Sequence, residues 1–266
     1  MKKVLYRYLR SHWMETLRNC EFKVSRPSKF RNMESDNSDP LDCLPQLNGV
    51  VPRNILERGL PQNLDKNQES PCFPEKFTAN FNGFFRKNEA MDSVLRVLCL
   101  SDASDNNTDM HMWKNYANDF AGVRIGIGLN IGDELETNFG GYMGRWVEYC
   151  DNPNLIIAKT LSHPRELSDW NWDIIFKKAK KFAVEKEYRI VTASNQWVPR
   201  AGGEYVRLLN ENIISVDVGC LVPLKERKKL MKFCRKNFNL VRMSVVQPNQ
   251  NGNVEYSVEG ANKVLT

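Results

Sequence analysis

The sequence predicts an α+β fold with a mixed, mostly antiparallel sheet, in one or two parts, and flanking amphipathic helices. Segments with strand patterns outnumber those whose apolar residues recur at steps of three or four. The helical segments are few and lie between the strand-like ones. A chain of 266 residues is also long enough to bury a sizeable core without disulfides or a structural metal.

The N-terminal segment has a strand, helix, strand pattern. "KVLYRYLR" alternates apolar and polar residues, and "SHWMETLRN" carries apolar residues at helical spacing after Ser11, a candidate N-cap. "EFKVSRP" alternates again until Pro27, which is expected to end the strand.

Residues 33–80 differ in character from the rest of the chain. They are rich in Pro, Asn, Asp and Gln, and only "VVPRNILERGL" has a helical pattern. A loop of this length inside a compact domain is usually functional or mobile. We therefore expect one domain over residues 1–266, with a loop-rich insertion at about residues 33–80.

The remaining chain alternates predicted strands and helices. "SVLRVLCLSD", "AGVRIGIGLNI" and "GRWVEYCD" predict strands, and "MHMWKNYAND" predicts a helix. "DWNWDIIFKKAKKFAV" predicts an amphipathic helix, followed by a strand that begins near Val184. In the last third, "NIISVDVGC" and "LVRMSVVQ" predict strands on either side of a basic helix that begins at Pro223.

Composition restricts the class of protein. The longest apolar runs are far shorter than the roughly 20 residues that span a bilayer, so no transmembrane helix or membrane partner is expected. Seven scattered cysteines and three distant histidines favour reduced thiols in the cytoplasm and no metal site. A net charge of +6 indicates a partly basic surface that suits nucleic acid.

Two glutamates are the main catalytic candidates. In a strand that begins near Val184, Glu185 and Glu187 share one face, with their carboxylates about 7 Å apart. Such a pair can orient a ribose hydroxyl, stabilise an oxocarbenium-like centre or act as a general base. Spacing by itself favours a different interpretation, the solvated face of an edge strand balanced by Lys186 and Arg189.

Other motifs allow two interpretations each. The glycines of "GVRIGIGLNIG" lie inside a strand pattern, which favours close backbone approach over a nucleotide-binding loop. The acidic residues of "SDASDNNTD" predict a polar turn rather than a calcium site. Trp113 and Tyr116 can stack on a base or a nicotinamide ring, although aromatic residues at helical spacing more often belong to a core.

The C-terminal helix is a candidate nucleic-acid surface. Its basic residues can follow a phosphate backbone, or they can form an ordinary solvated face, and the sequence leaves both possibilities open. The residues concerned are Lys225, Arg227, Lys228, Lys229, Lys232 and Arg235.

Several segments together resemble a bacterial family catalogued as domain of unknown function 2971. The matching segments are "LYRY", "FKVSRPSKF", "LCLSDASDN", "MHMWKNYANDFAGVRIGIGL", "VEY", "EKEYRIV" and "NIISVDVG", which occur in the family's order over most of the chain. The family typically continues the second motif as Phe-Asn-Asp-Pro, whereas here extra residues precede Asp39 and Pro40.

A second resemblance implies a chemistry. "EKEYRIV" is similar to the Glu-x-Glu and apolar strand that end the active site of many ADP-ribosyltransferases. This resemblance implies an ADP-ribosyltransferase-like fold in which Glu187 is catalytic and Glu185 is its companion. It also implies that NAD contacts the first two motifs, which contain Arg7, Tyr8, Ser25 and Arg26, although Ser25 is not followed by the usual Thr-Ser.

The resemblance implies a cytoplasmic enzyme that uses NAD as a substrate and modifies nucleic acid or protein, as a bacterial toxin or anti-phage defence effector. No metal is expected, and a regulatory or inhibitory protein partner is a further expectation. Two alternatives remain open. One is a nucleic-acid-binding or metal-dependent nucleic-acid-processing protein, and the other is a non-catalytic interaction module that uses the insertion as its contact surface.

Overall fold

The computed structural model describes residues 2–31, 46–48, 95–131, 143–151, 155–157, 175–193, 197–238 and 241–258. In these ranges, strands predominate over helices, and the largest sheet is mixed and mostly antiparallel. The α+β class predicted from the sequence is therefore confirmed. Apart from one short strand, the insertion at residues 33–80 lies outside the described residues.

The described elements have the following bounds. The helices are α1 (Trp13–Asn19), α2 (Asn106–Tyr116) and α3 (Leu224–Asn237), with short 3-10 helices at Pro27–Arg31, Lys180–Glu185 and Asn210–Asn212. None of these helices has the length and hydrophobicity needed to cross a membrane. The strands are β1 (Lys2–Leu9), β2 (Glu21–Val24), β3 (Gln46–Asn48), β4 (Leu95–Ser101), β5 (Val123–Asn130), β6 (Met143–Trp146), β7 (Glu148–Cys150), β8 (Leu155–Ile157), β9 (Lys177–Ala179), β10 (Glu187–Ala193), β11 (Val198–Arg200), β12 (Gly203–Arg207), β13 (Ile213–Gly219), β14 (Arg242–Pro248) and β15 (Val254–Val258).

The chain divides into two compact units. The first comprises Met1–Ser25, Arg96–Val147 and Ala183–Thr266, and the second comprises Arg26–Leu95 and Glu148–Phe182. Within the second unit, β3 pairs with β8 and β7 pairs with β9, both in parallel. The functional candidates discussed below lie mainly in the first unit.

An eight-stranded sheet forms the centre of the first unit, in the order β15-β14-β13-β5-β1-β4-β10-β6. β13 and β14 are parallel and are connected through α3, whereas β1 is antiparallel to both β5 and β4. A smaller antiparallel sheet has the order β11-β12-β2. The strand patterns of β1, β4, β5, β13 and β14 in the sequence predicted these elements correctly.

The two faces of the large sheet differ in chemistry. One face, here called the core face, carries the main apolar cluster, which includes Leu5, Ile125 and Tyr188. The buried side of α3 and the apolar residues of β2 and β12 belong to the same cluster. Residues that alternate with these on the strands point to the opposite face, because successive side chains of a strand lie on opposite sides.

The opposite face, here called the α2 face, is partly covered by α2. Trp113 of α2 packs in a second cluster with Tyr8 of β1 and Val246 of β14. Arg124 is the register partner of Tyr8, and Asp217 is the register partner of Arg124, so these polar residues share the α2 face. Polar and aromatic side chains are therefore concentrated on this face.

Two glycines of this motif, Gly126 in β5 and Gly122 just before it, permit close approach, as the sequence indicated. A Cβ added at Gly126 would lie 2.3 Å from the Ser215 hydroxyl oxygen, and one added at Gly122 would lie 2.3 Å from the Leu9 carbonyl oxygen. Neither contact is sterically possible without movement. The glycines therefore serve strand packing rather than a loop that binds phosphate.

The predicted amphipathic helix over "DWNWDIIFKKAKKFAV" is wrong in its described part. Residues 177–179 form β9, and residues 180–185 form a 3-10 helix. The backbone of this segment pairs with β7, beginning where the Glu148 amide donates to the Phe176 carbonyl at 2.7 Å. Lys178 is also buried, with its ammonium 4.7 Å from the Phe182 ring centre, so the lysines do not form one solvated helix face.

Two predicted boundaries also differ. The N-cap of α1 is His12 rather than Ser11, and its side chain makes no capping hydrogen bond. β10 begins at Glu187 rather than near Val184, because Lys186 has a φ of 43° in the left-handed region, which is incompatible with an extended strand. Glu185 is the last residue of the preceding 3-10 helix.

Close packing of β13 at Gly219 leaves no room for a side chain. A Cβ there would lie 2.0 Å from the Phe120 carbonyl oxygen, and backbone atoms cannot rotate away. We expect Gly219→Ala to lower the free energy of unfolding by about 3 kcal/mol in urea denaturation. In the control Gly202→Ala, the Cβ would meet only the flexible end of Tyr205, at 3.0 Å, so the change should stay within about 0.5 kcal/mol. Equal losses in both variants would contradict the packing explanation.

Candidate functional site

Glu185 is buried and held from two sides. Its side chain is 1% exposed, and its Oε1 accepts a hydrogen bond of 2.7 Å from the Tyr116 hydroxyl at the end of α2. The Ser101 hydroxyl of β4 donates to the Glu185 carbonyl at 2.6 Å. The structure thus brings together Glu185 and Tyr116, two residues that sequence reasoning selected separately.

Glu187 is also buried, with 7% of the residue exposed. Its Oε2 accepts from both Nε and Nη2 of Arg189 at 2.8 Å, and Arg189 is 0% exposed. β10 lies between β4 and β6 in the sheet. The interpretation as the solvated face of an edge strand is therefore wrong, because both carboxylates are inside the protein.

Lys186 separates the two glutamates and is exposed. Its Nζ lies 2.5 Å from Asp105 Oδ2, and its carbonyl accepts from the Asp102 amide at 3.0 Å. Asp105 in turn caps α2 by accepting from the Thr108 amide at 2.9 Å. Because Tyr116 is the last residue of α2, the two ends of this helix contact Glu185 and Lys186.

Arg7 does not meet Glu187 on one face of the sheet. Arg7 shares the core face with Leu5, and its Nη1 donates to the Cys99 carbonyl of β4 at 2.8 Å. Glu187 alternates with Tyr188, which belongs to the core face, so Glu187 lies on the α2 face. The contact with Cys99 and the strand alternation together assign Arg7 to the support of β4.

The second motif also contacts β4, but through its backbone. Ser25 exchanges two hydrogen bonds of 2.9 Å with the backbone of Val97. Arg26 is exposed, begins the second unit and accepts a backbone hydrogen bond from Lys29. Ser25 therefore pairs with β4 as an isolated antiparallel bridge.

Trp113 and Tyr8 belong to the interior of the α2 face. The Trp113 ring is fully buried, stacked on Phe120 with centroids 5.5 Å apart and perpendicular to Tyr8 at 5.6 Å. Its faces are therefore occupied, and stacking on a nicotinamide ring is not possible in this arrangement. The Tyr8 hydroxyl donates to Asp109 at 2.6 Å, and burial is the main cause that raises its pKa well above the ordinary value.

The basic residues of α3 fall into two groups. Arg227 is half-buried, and its Nη2 donates to the carbonyls of Cys220 at 3.0 Å and Val222 at 3.2 Å, so it supports the preceding loop. This contact removes Arg227 from the predicted nucleic-acid surface. The other candidates are exposed: Lys225, Lys228, Lys229, Lys232 and Arg235.

A buried ionic cluster on the α2 face was not anticipated from the sequence. The Arg124 side chain is 3% exposed and donates to Asp109 at 2.9 Å and to Asp217 at 2.8 and 3.0 Å. Its guanidinium carbon lies 4.1 Å from the Tyr6 ring centre and 4.5 Å from that of Tyr256. Burial lowers the pKa of Arg124, but the attraction of Asp217 and the other acidic groups outweighs it and raises the pKa.

Beside this cluster is a cavity of about 240 Å³, here called the Arg124 groove. A signal for it does exist in the sequence, because "VRIGIGL" and "ISVDVG" each place one charged residue inside an apolar strand, and such charges are buried only with a partner. That the partners meet each other depends on the fold. The groove is lined by Tyr6, Asp109, Arg124, Arg242, Ser244 and Tyr256, among others.

No family model and no curated protein matches the sequence, and no solved structure matches the fold. Within the part of the chain that the structure describes, no three His, Cys, Asp or Glu side chains are grouped to hold a metal ion. Structurally, the protein is thus defined as an α+β protein with a mixed sheet, two buried glutamates and a polar face beneath α2.

The ionic cluster predicts a large effect of one substitution. In Arg124→Met, the buried carboxylates of Asp109 and Asp217 lose their cation, so we expect a loss of about 3–5 kcal/mol in the free energy of unfolding. Urea denaturation measures this loss. The matched control is Arg235→Met on the exposed side of α3, for which a change within about 0.5 kcal/mol is expected. A small effect in both variants would show that the cluster is not holding the α2 face together.

The contact between Lys186 and Asp105 predicts a pH dependence. The hydrogen bond from Lys186 is the main cause that lowers the pKa of Asp105. The ionised Asp105 therefore stabilises the protein fully above the ordinary carboxyl pKa of about 3.9. This stabilisation is lost as the pH falls through the lower pKa that Asp105 has in the folded protein. Asp105→Asn retains a capping oxygen but not the charge.

We therefore expect the unfolding free energy of Asp105→Asn to fall less steeply than that of the native protein between about pH 5 and pH 2. The measurement is denaturation at several pH values. Asp119→Asn, another exposed aspartate just beyond α2, serves as the control and should keep the native slope. If the unfolding free energy changes with pH equally in the native protein and in Asp105→Asn, the ion pair does not hold Lys186 against α2.

Proposed function

We propose that the protein is an NAD-using ADP-ribosyltransferase-like enzyme, in which Glu187 is the catalytic carboxylate and Glu185 its companion. The observation that carries this proposal is the burial of both glutamates, 1% and 7% exposed, around one left-handed residue. A buried carboxylate and a left-handed lysine each cost free energy. Such costs are concentrated at functional sites, where the geometry itself is required.

The surroundings of Glu187 suit the stabilisation of a positive charge. Two hydrogen bonds from Arg189 fix one oxygen of the carboxylate, at 2.8 Å each. A carboxylate held in advance requires little reorganisation when a cation forms beside it, and this is the main source of electrostatic catalysis. The second carboxylate, Glu185, is positioned independently by Tyr116.

The proposed reaction transfers the ADP-ribosyl group of NAD. The bond between C1 of the ribose and the nicotinamide nitrogen breaks, and its electron pair leaves with nicotinamide. The ribose becomes oxocarbenium-like, and the carboxylate of Glu187 stabilises it and orients the 2-hydroxyl. A nucleophilic oxygen or nitrogen of the acceptor then donates a lone pair to C1 and releases its proton to solvent.

Arg7 has no part in this proposal. The resemblance implied that NAD contacts Arg7, yet Arg7 lies on the core face and donates to the Cys99 carbonyl. Glu187 and Arg124 lie on the α2 face. We therefore place NAD on the α2 face, where both the carboxylates and a guanidinium are found.

The exposed basic residues of α3 support nucleic acid as the acceptor. Lysines and arginines on one exposed helix attract the phosphate backbone through counterion release, and this attraction does not depend on nucleotide sequence. A role as a toxin or defence effector stays a prediction from the resemblance. The residues of this proposed surface are Lys225, Lys228, Lys229, Lys232 and Arg235.

The decisive variant is Glu187→Gln, which retains the size of the side chain but removes the charge. The native protein, incubated with NAD labelled in the adenylate phosphate and with RNA, DNA or lysate protein, should release nicotinamide and label the acceptor. We expect Glu187→Gln to reduce nicotinamide release by at least about 100-fold, because a preorganised charge is lost.

Glu211→Gln, at an exposed glutamate of the 3-10 helix before β13, is the control and should retain the native rate. Thermal melting of both variants shows whether they are folded. The proposal fails if nicotinamide is released with none of the acceptors, or if folded Glu187→Gln keeps the native rate.

A further inference from the structure

The Arg124 groove has hydrogen-bonding capacity that the protein itself does not use. A guanidinium carries five N–H donors. In the described part of the chain, three of those on Arg124 are bonded to Asp109 and Asp217, and a further one interacts with the Tyr8 hydroxyl, which leaves one. The rings of Tyr6 and Tyr256 pack against the Arg124 guanidinium, with their centres 4.1 and 4.5 Å from its central carbon, and they restrict its rotation.

The same groove offers acceptor capacity next to this donor. A carboxylate has about four lone-pair positions. Those of Asp109 receive three hydrogen bonds among the described residues, from Tyr8, Arg124 and Tyr256. The hydroxyl of Ser244, a buried residue that also lines the groove, can donate or accept. The floor therefore suits a ligand edge that has an acceptor and a donor side by side.

The charges on the groove floor determine whether an ionised or an uncharged ligand edge fits better. On the floor, the cation Arg124 is paired with Asp109, which also lines the groove, and with the fully buried Asp217 behind it, so the floor gives no net attraction to an anion. An uncharged edge with both kinds of hydrogen-bonding group matches the floor better. The edge of a nucleobase and a carboxamide both have this pattern.

The mouth of the groove favours an anionic ligand group. Arg242 is exposed, lines the groove and lies two residues before Ser244 on the same side of β14, about 7 Å along the strand. A guanidinium at this position can bind a phosphate through charge-assisted hydrogen bonds. The cavity of about 240 Å³ is below the usual range of roughly 300–1,000 Å³ for sites that enclose a whole drug-sized ligand.

We propose that the Arg124 groove binds a nucleoside monophosphate unit, with the uncharged edge of its ring on Arg124, Asp109 and Ser244 and its phosphate at Arg242. The volume admits one such unit rather than a complete dinucleotide. The identity of the ligand as one half of NAD rests on the proposed function. Recognition of the nucleotide unit itself rests on the groove.

The test compares AMP with adenosine by isothermal titration calorimetry on the full chain. AMP should bind the native protein about tenfold more tightly than adenosine, because only AMP places a phosphate at Arg242. Arg242→Met should abolish this difference and leave adenosine binding unchanged. Arg18→Met, which removes an exposed arginine of α1, should preserve it.

Ser244→Val tests the floor and should weaken AMP and adenosine by the same factor. Three results would overturn the assignment: no binding of either compound at millimolar concentration, equal affinities for both in the native protein, or a phosphate preference that survives in Arg242→Met. Repeating the titrations with nicotinamide mononucleotide and nicotinamide riboside tests the other half of NAD in the same way.

The failure of this site and the failure of the proposed enzyme are distinguishable. If AMP binding depends on Arg242 while no nicotinamide is released from NAD, the groove is confirmed and the transferase activity is excluded. If nicotinamide release depends on Glu187 while AMP binding is indifferent to Arg242, the activity is confirmed and the groove is not its nucleotide site.

Discussion

The contact of Arg124 with Asp109 determines where α2 lies, and much of the candidate site depends on α2. Arg124 belongs to β5 and Asp109 to α2, while Asp217 of β13 completes the pairing. Once α2 is in place, Asp105 at its start binds Lys186 and Tyr116 at its end binds Glu185. A buried ion pair in the sheet thus positions Glu185 and Lys186 through one helix.

The two faces of the central sheet differ in the kind of side chain they bury. The core face carries the main apolar cluster, and burial of that apolar surface is the main source of folding free energy. The α2 face buries guanidinium and carboxylate groups, which add little to stability compared with apolar residues of the same volume. Folding stability does not explain why Arg124 and Arg189 are buried, because apolar side chains of the same volume would stabilise the protein at least as well. A functional role for the α2 face is therefore the simpler explanation.

Strands with long apolar or alternating runs were predictable from the sequence, because that pattern is a local property. The segment around Lys178 was not, since its lysines and apolar residues repeat at helical spacing while its backbone pairs with β7. β15 was also missed. Its Tyr256 contributes a ring and a hydroxyl to the ionic cluster, yet "VEYSV" alternates over only five residues, which is too short to stand out in the sequence.

The sequence by itself determined the α+β class and the basic character of α3, because composition and local periodicity encode these features. The tertiary structure decided that both glutamates are buried, that Arg7 and Glu187 lie on opposite faces, and that Arg124 meets Asp109 and Asp217. The physical reason is that the distant segments that pair with a strand determine which of its side chains are buried and which face of the sheet they lie on. Local sequence contains the side chains but not those partners.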